Sequence, residues 1–366
     1  MDYQQAMARI PQRILPDYWI GTVDDLECRW QTLQRGSVQT LATTPGGRPI
    51  HLITYGTCEP TQHRANFNSA IGGRDPSAYA DKSRRDKPVL LFVGPVHGHE
   101  TEGLTGLVNL VSVMEGGLDL RGRAWPELHT MGDQCRLLII PSGNPDGTAR
   151  FAPRSLHGLA LDDIRFWGQG TWVDGTFCDW PQCKRQHPMT GDNVGFLGCY
   201  FDDAGINPMH DEFMNPLGPE APAILHLAQS EGPDLAVLLH SHENAPALLR
   251  PAYVPMETQS LVRTLAERFY DRLHQYNLPH GQPFDPQPER GPHPASLNLT
   301  SALYHICGAT TCTFECPHGT LGEQACHVSL EQILDIQLLL YETVIQFALG
   351  QSQEIPTHVA VPSRYQ

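Results

Sequence analysis

A surplus of positive charge is the first thing this 366-residue sequence lacks: 25 Lys and Arg stand against 40 Asp and Glu, a formal net charge of −15. Nucleic acids and anionic membrane surfaces both select for a basic face, so neither is expected as a partner. Long apolar runs are missing too. No stretch approaches the roughly 20 apolar residues of a membrane-spanning helix, and the opening "MDYQQAMARIPQRILPDYWIG" has no apolar core of an export signal. The ten cysteines include two close pairs, Cys178/Cys183 and Cys312/Cys316, but neither has the doubled CxxC spacing of a structural zinc site. Without an export signal they are expected to stay reduced in a cytoplasm, most of them as small buried hydrophobes. Internal repeats and low-complexity tracts are absent as well. With 40% hydrophobic residues the chain can build a sizeable core, and one large domain is expected.

Residues 1–35 read as a helical lead-in, and "GSVQTLATTPGGRPIHLITYG" as a β-hairpin about the turn Thr44–Gly47. Four apolar runs then read as buried strands: "PVLLFVGPV", "CRLLIIPSGNP", "DLAVLLHSH" and "ATTCTFEC". Helical spacing is found in "TEGLTGLVNLVSVMEGG" and over 220–231, 257–276 and 329–349. Apolar strands alternating with helices predict an α/β fold, a largely parallel sheet covered on both faces, within a domain spanning 36–350 and followed by a tail, 351–366. Two stretches break the rhythm. The insert 148–218 has no period, yet its Trp, Phe and Tyr residues suit an ordered cover, a substrate lid or an oligomer contact. The Pro- and His-rich segment 278–296 is a second long loop. Nothing in the sequence indicates an oligomeric state.

Ligands of open α/β sheets bind beyond the carboxyl ends of the strands. Three of the expected strands end in reactive groups: "HGHE" at 97–100, "HSHE" at 240–243 and "FE" at 314–315. A catalytic zinc takes three such side chains and keeps a fourth position open for water. His97 and Glu100, three apart in one turn, can reach a single ion, and His240 (or its competitor His242) can supply the third donor from a neighbouring strand. A short spacer followed by one of about 140 residues suits a catalytic rather than a closed structural site.

"HGHETEG", "NPDG" (144–147), "LLHSH" (238–242) and "TCTFE" (311–315) occur in the order and approximate spacing of the zinc carboxypeptidases, the carboxypeptidase A-like metallopeptidases, which the sequence resembles over roughly residues 35–348. The resemblance implies a single sheet of mixed strand direction, one zinc per chain, and His97, Glu100 and His240 as its ligands. It implies Glu315 as general base, taking a proton from a water whose pKa zinc lowers to about 7 and passing it to the leaving amine. It further implies an arginine shortly after NPDG opposite the oxyanion, with Arg154 preferred to Arg150. Asn144 is expected in the wall of the cleft beside substrate, and Tyr304 is the candidate for a tyrosine capping it.

One segment departs from the family. Its "GVDLNRNF"-like stretch aligns with "GINPMHDEF" (205–213), so Asn207 replaces the Asp that orients the first zinc-binding histidine. Met209 and His210 replace the Asn-Arg pair that holds a terminal carboxylate. His210 can do so only when protonated, and losing the guanidinium fork argues against ordinary exopeptidase action. The expected activity is zinc-dependent hydrolysis of an amide bond in a peptide or modified peptide. The rivals are an N-acyl amino acid deacylase of the desuccinylase and aspartoacylase group, whose HGxE turn is similar, and a non-catalytic binding module on the same fold. His99 and Glu102 are expected to support the site, and Glu220 to be an acid at a helix N-terminus.

Overall fold

The computed structural model describes residues 1–24, 26–59, 61–289 and 295–353. Its strands are β1 (Ser37–Thr43), β2 (Pro49–Tyr55), β3 (Val89–Val93), β4 (Arg136–Ile140), β5 (Gly170–Trp172), β6 (Val194–Leu197), β7 (Leu235–His242), β8 (Ala247–Leu249) and β9 (Thr310–Pro317). Seven of them form one sheet in the order β1-β2-β4-β3-β7-β9-β8, and β5 pairs with β6 in a separate ribbon. The inner four, β4, β3, β7 and β9, run parallel, while β1, β2 and β8 are antiparallel to their neighbours. This is the largely parallel sheet that the apolar strand pattern predicts, with the mixed strand direction that the resemblance implies.

The helices are α1 (Tyr3–Ala8), α2 (Leu26–Trp30), α3 (Phe67–Gly72), α4 (Thr101–Gly116), α5 (Pro126–Gly132), α6 (Pro145–Arg150), α7 (Leu161–Gln169), α8 (Glu220–Glu231), α9 (Met256–Gln275), α10 (Leu299–Cys307) and α11 (Leu330–Gln353). They cover both faces of the sheet. Leu90 and Phe92 of β3, Val237 and Leu239 of β7, and Cys312, Phe314 and Cys316 of β9 pack with α4, α9 and α11. The alternate residues Leu91, Val93, Ala236 and Leu238 pack with α8 and α10. This two-residue alternation fixes which side chains share a face at the strand ends. Seven of the ten cysteines are buried and all ten are free thiols. Cys312 and Cys316 share one face, as their parity requires.

Three regions differ from the sequence expectation. The lead-in is helical only in α1 and α2, because Pro11 and Pro16 interrupt the backbone donors a continuous helix needs. Its Trp19 and Ile20 instead plug the core, with Ile20 exchanging backbone bonds with the Thr105 hydroxyl. The aperiodic insert contains α7 and the β5/β6 ribbon, and Phe166 and Trp167 close a small core of its own. Within α11, Leu330–Gly350 is long and apolar enough to cross a membrane by length and composition. Some 78% of that window is buried, however, against α4, α5 and α9, which marks a core helix. Alpha-helix α11 runs past residue 350, and the expected tail from 354 onward lies outside the described residues.

Candidate metal centre

Chain order reverses across the sheet between β3 and β7: β4 lies to one side of β3 and β7 to the other. Such a reversal opens a crevice at the carboxyl ends of the strands. His97 and Glu100 rise from the turn after β3, and His240 stands near the end of β7. The turn can pass there only because residue 98 is glycine. A Cβ at Gly98 would lie 2.1 Å from the Gly147 carbonyl carbon, and the Gly98 N–H donates to the Cys199 carbonyl at 2.7 Å.

All three side chains are buried, and their donor atoms lie within 4.8 Å of one another. His97 Nδ1 is 3.0 Å from one Glu100 oxygen and His240 Nδ1 is 3.0 Å from the other. The two flanking imidazoles hold Glu100 well below the usual carboxylate range in spite of its burial. The remaining ring atoms, Nε2 of His97 and of His240, have no hydrogen-bond partner. Three lone-pair donors facing one point inside a protein need a proton or a cation between them. Tetrahedral zinc, about 2.0–2.2 Å from nitrogen and oxygen donors, holds them about 3.3 Å apart, so this donor set fits zinc. Among the described residues this is the only such cluster.

Strand parity places Glu315 beside it. In β7, residues 236, 238 and 240 share a face; in β9, 311, 313 and 315 do, and the parallel register pairs His240 with Glu315. Glu315 lines the same cleft, of about 740 Å³. Burial raises its pKa to about 7, with Glu100 and Glu243 adding to the rise and His240 opposing it. Glu102, fully buried in the first turn of α4, accepts a 2.9 Å bond from the hydroxyl of Ser241, the residue after His240. Burial lifts Glu102 to about 8, so it acts as a neutral tie between the segments that carry Glu100 and His240. His99 is buried against the insert and kept neutral by that burial, its pKa falling to about 3.

Other expected site residues are placed elsewhere. Arg154 is exposed, sits in a left-handed conformation (φ +59°), and lines a separate cavity formed with the lead-in. Its carbonyl is pinned there by Trp19 Nε1 and Thr101 Oγ1. Arg150 supports the insert, donating to the carbonyls of Gly198 and Phe201 and pairing with Asp203. Neither arginine lines the cleft. Asn144 is fully buried and does not line the cleft, and its amide is spent on Gly147 N and Val96 O rather than on substrate. Tyr304 packs edge-on against Phe67 of α3, away from the cleft. His210 does line it, bonded to Ser296 Oγ at 3.1 Å. Burial and the nearby charges of Lys184, His97 and His240 bring its pKa to about 3, so it offers no cation. Asn207 caps its own turn through Met209 N instead of holding a histidine.

Three residues of the cleft went unread in the sequence. The ring of Tyr200 stacks on His97 at 3.9 Å and 18°, though it counted only among the aromatics of the insert. His318 is buried in the cleft with both ring nitrogens unpartnered, and its place just past the end of β9 was the available signal. Lys184 lies in the aperiodic insert and gave none.

A His-Glu-His cluster at the switch point of a mixed α/β sheet, with a carboxylate on the adjacent strand, defines a metal-dependent hydrolase. The chain belongs to the zinc carboxypeptidase family, whose sequence profile matches residues 31–251. Its fold is shared by a Burkholderia mallei chain assigned as a carboxypeptidase (16% identity, 89% of this chain and 67% of that one, TM-score 0.56). It is shared also by a metallo-carboxypeptidase of Burkholderia cenocepacia (17%, 89% and 68%, 0.53). Carboxypeptidase A of Helicoverpa armigera is a third (14%, 97% and 79%, 0.52). No curated protein sequence matches.

Proposed function

We propose that this protein hydrolyses an amide bond of a peptide or modified peptide, using one zinc per chain held by His97, Glu100 and His240. The observation that carries this reading is the convergence of those three buried donors, with Glu315 beside His240 in the same cleft. Zinc held there supplies Lewis acidity and makes a water acidic enough to react at neutral pH. Glu315, near pH 7 in its proton affinity, accepts the proton of the attacking water and returns it to the amine that leaves. Tyr200 covers one face of the His97 ring, and Glu102 fixes the spacing between α4 and β7 through Ser241. Ten free thiols suit a reducing cytoplasm.

A second reading, deacylation of N-acyl amino acids, is favoured by one observation: the turn His97–Glu100 has the HGxE pattern of the desuccinylase and aspartoacylase group. Profiling zinc-loaded protein against matched C-terminal, internal and N-acyl amides decides between the two. Release of amino acids from peptides supports the first reading, and cleavage confined to acylated single residues supports the second. No hydrolysis of any amide with zinc bound overturns both.

A further inference from the structure

Among the described residues, every guanidinium in or beside the cleft is committed elsewhere. Arg150 and Arg154 lie outside it, Arg165 is engaged by Asp162 and Asp179, and Arg250 by Glu289. Among the described residues Lys184 is the other cation lining the cleft, and no carboxylate among them pairs with it. It follows Cys183, which is buried in a small apolar cluster with Cys178, Met189 and Phe201, so its backbone is anchored. Its ammonium lies 5.1 Å from the centre of the Trp180 ring, which also lines the cleft. Its charge reaches His97, His210 and His240, disfavouring a proton on each in addition to the effect of burial.

We propose that Lys184 binds the terminal carboxylate of the substrate, from the insert rather than from the segment that carries the family's Asn-Arg pair. The substrate class follows: an amide whose departing residue carries a free α-carboxylate, as a peptide C-terminus or an N-acyl amino acid does. Internal amides, having no charge to place there, are poor substrates. This rests on the hydrolase reading for the bond that is cut, but the carboxylate site is tested by binding alone. An ammonium on a flexible stem gives one charged contact instead of a two-pronged one, tolerant of geometry and sensitive to salt.

The test is calorimetric titration of the full-length protein as purified, with zinc content measured alongside. The probes are N-acetylglycine, N-acetylleucine and N-acetylphenylalanine, each compared with its amide, in wild type, Lys184→Gln and Lys184→Arg. The expected result is a preference for acid over amide that falls roughly tenfold in Lys184→Gln and returns in Lys184→Arg. Any attraction of the metal for carboxylates is common to the three proteins and cancels. Because Lys184 is exposed on the insert, Tm should stay unchanged. A preference that is absent in wild type, or that persists within twofold in Lys184→Gln, overturns the assignment. A Lys184-dependent preference in a protein that cleaves no amide keeps the carboxylate site and refutes the proposed reaction.

Discussion

Glu220 opens α8 with its side chain fully buried, and neither carboxylate oxygen is bonded to another residue. A helix N-terminus ordinarily favours an ionised acid. Here burial and the neighbouring Asp202, Asp146 and Asp211 win, raising the pKa from 4.5 to about 8. A carboxyl that holds its proton more tightly when folded favours folding below pH 4.5, and loses stability as the pH rises from 4.5 to 8. At about 1.4 kcal/mol per pH unit, the ionised side chain costs at most about 3 kcal/mol at pH 7 and about 5 kcal/mol at pH 9. Glu220→Gln removes the charge and keeps the shape. Urea unfolding of both proteins at pH 5, 7 and 9 should therefore show near-equal stability at pH 5 and a gain for the variant that grows with pH. Effects of pH on the metal site are shared and drop out of the difference. A difference that stays flat from pH 5 to 9 would instead mean that the carboxylate is solvated or paired at all pH values.

Three further outcomes follow from the site. Glu315→Gln should keep its zinc and lose turnover by roughly 10²–10⁴-fold, and undiminished hydrolysis would remove Glu315 as the base. Arg154→Ala should leave kcat/KM within about twofold, whereas a loss of about 10²-fold would return that residue to the oxyanion. Asn144→Ala should cost about 2–4 kcal/mol in thermal unfolding, since it strands buried partners in two chain segments; a loss below about 0.5 kcal/mol would contradict its part in tying those segments together.

The His-Glu-His cluster was legible because its geometry is local or periodic. His97 and Glu100 share one turn after a fully apolar strand, and parity alone puts His240 and Glu315 on the same face of adjacent strands. The core strands and α8, α9 and α11 were legible for the same reason. Short elements were not: α10 and β8 lie among loops, too brief for a period to show. The arginines misled because position after NPDG does not fix direction. Arg154 takes a left-handed backbone with its carbonyl bound by Trp19 and Thr101, and Arg150 is captured by carbonyls of the insert. Sequence spacing carries no trace of contacts some fifty residues apart. Lys184 and Tyr200 reach the cleft only because the insert folds back onto the His97 turn, through bonds such as Gly98 N–H to Cys199 O.

His97, Glu100 and His240 are expected to bind one zinc ion together. X-ray absorption at the zinc edge, with metal content measured on wild type and on His97→Ala and His240→Ala, tests it most directly. One zinc per chain in a nitrogen and oxygen environment, lost or greatly weakened in both variants, is the predicted result. Sulfur ligation, or zinc held undiminished by both variants, would contradict it.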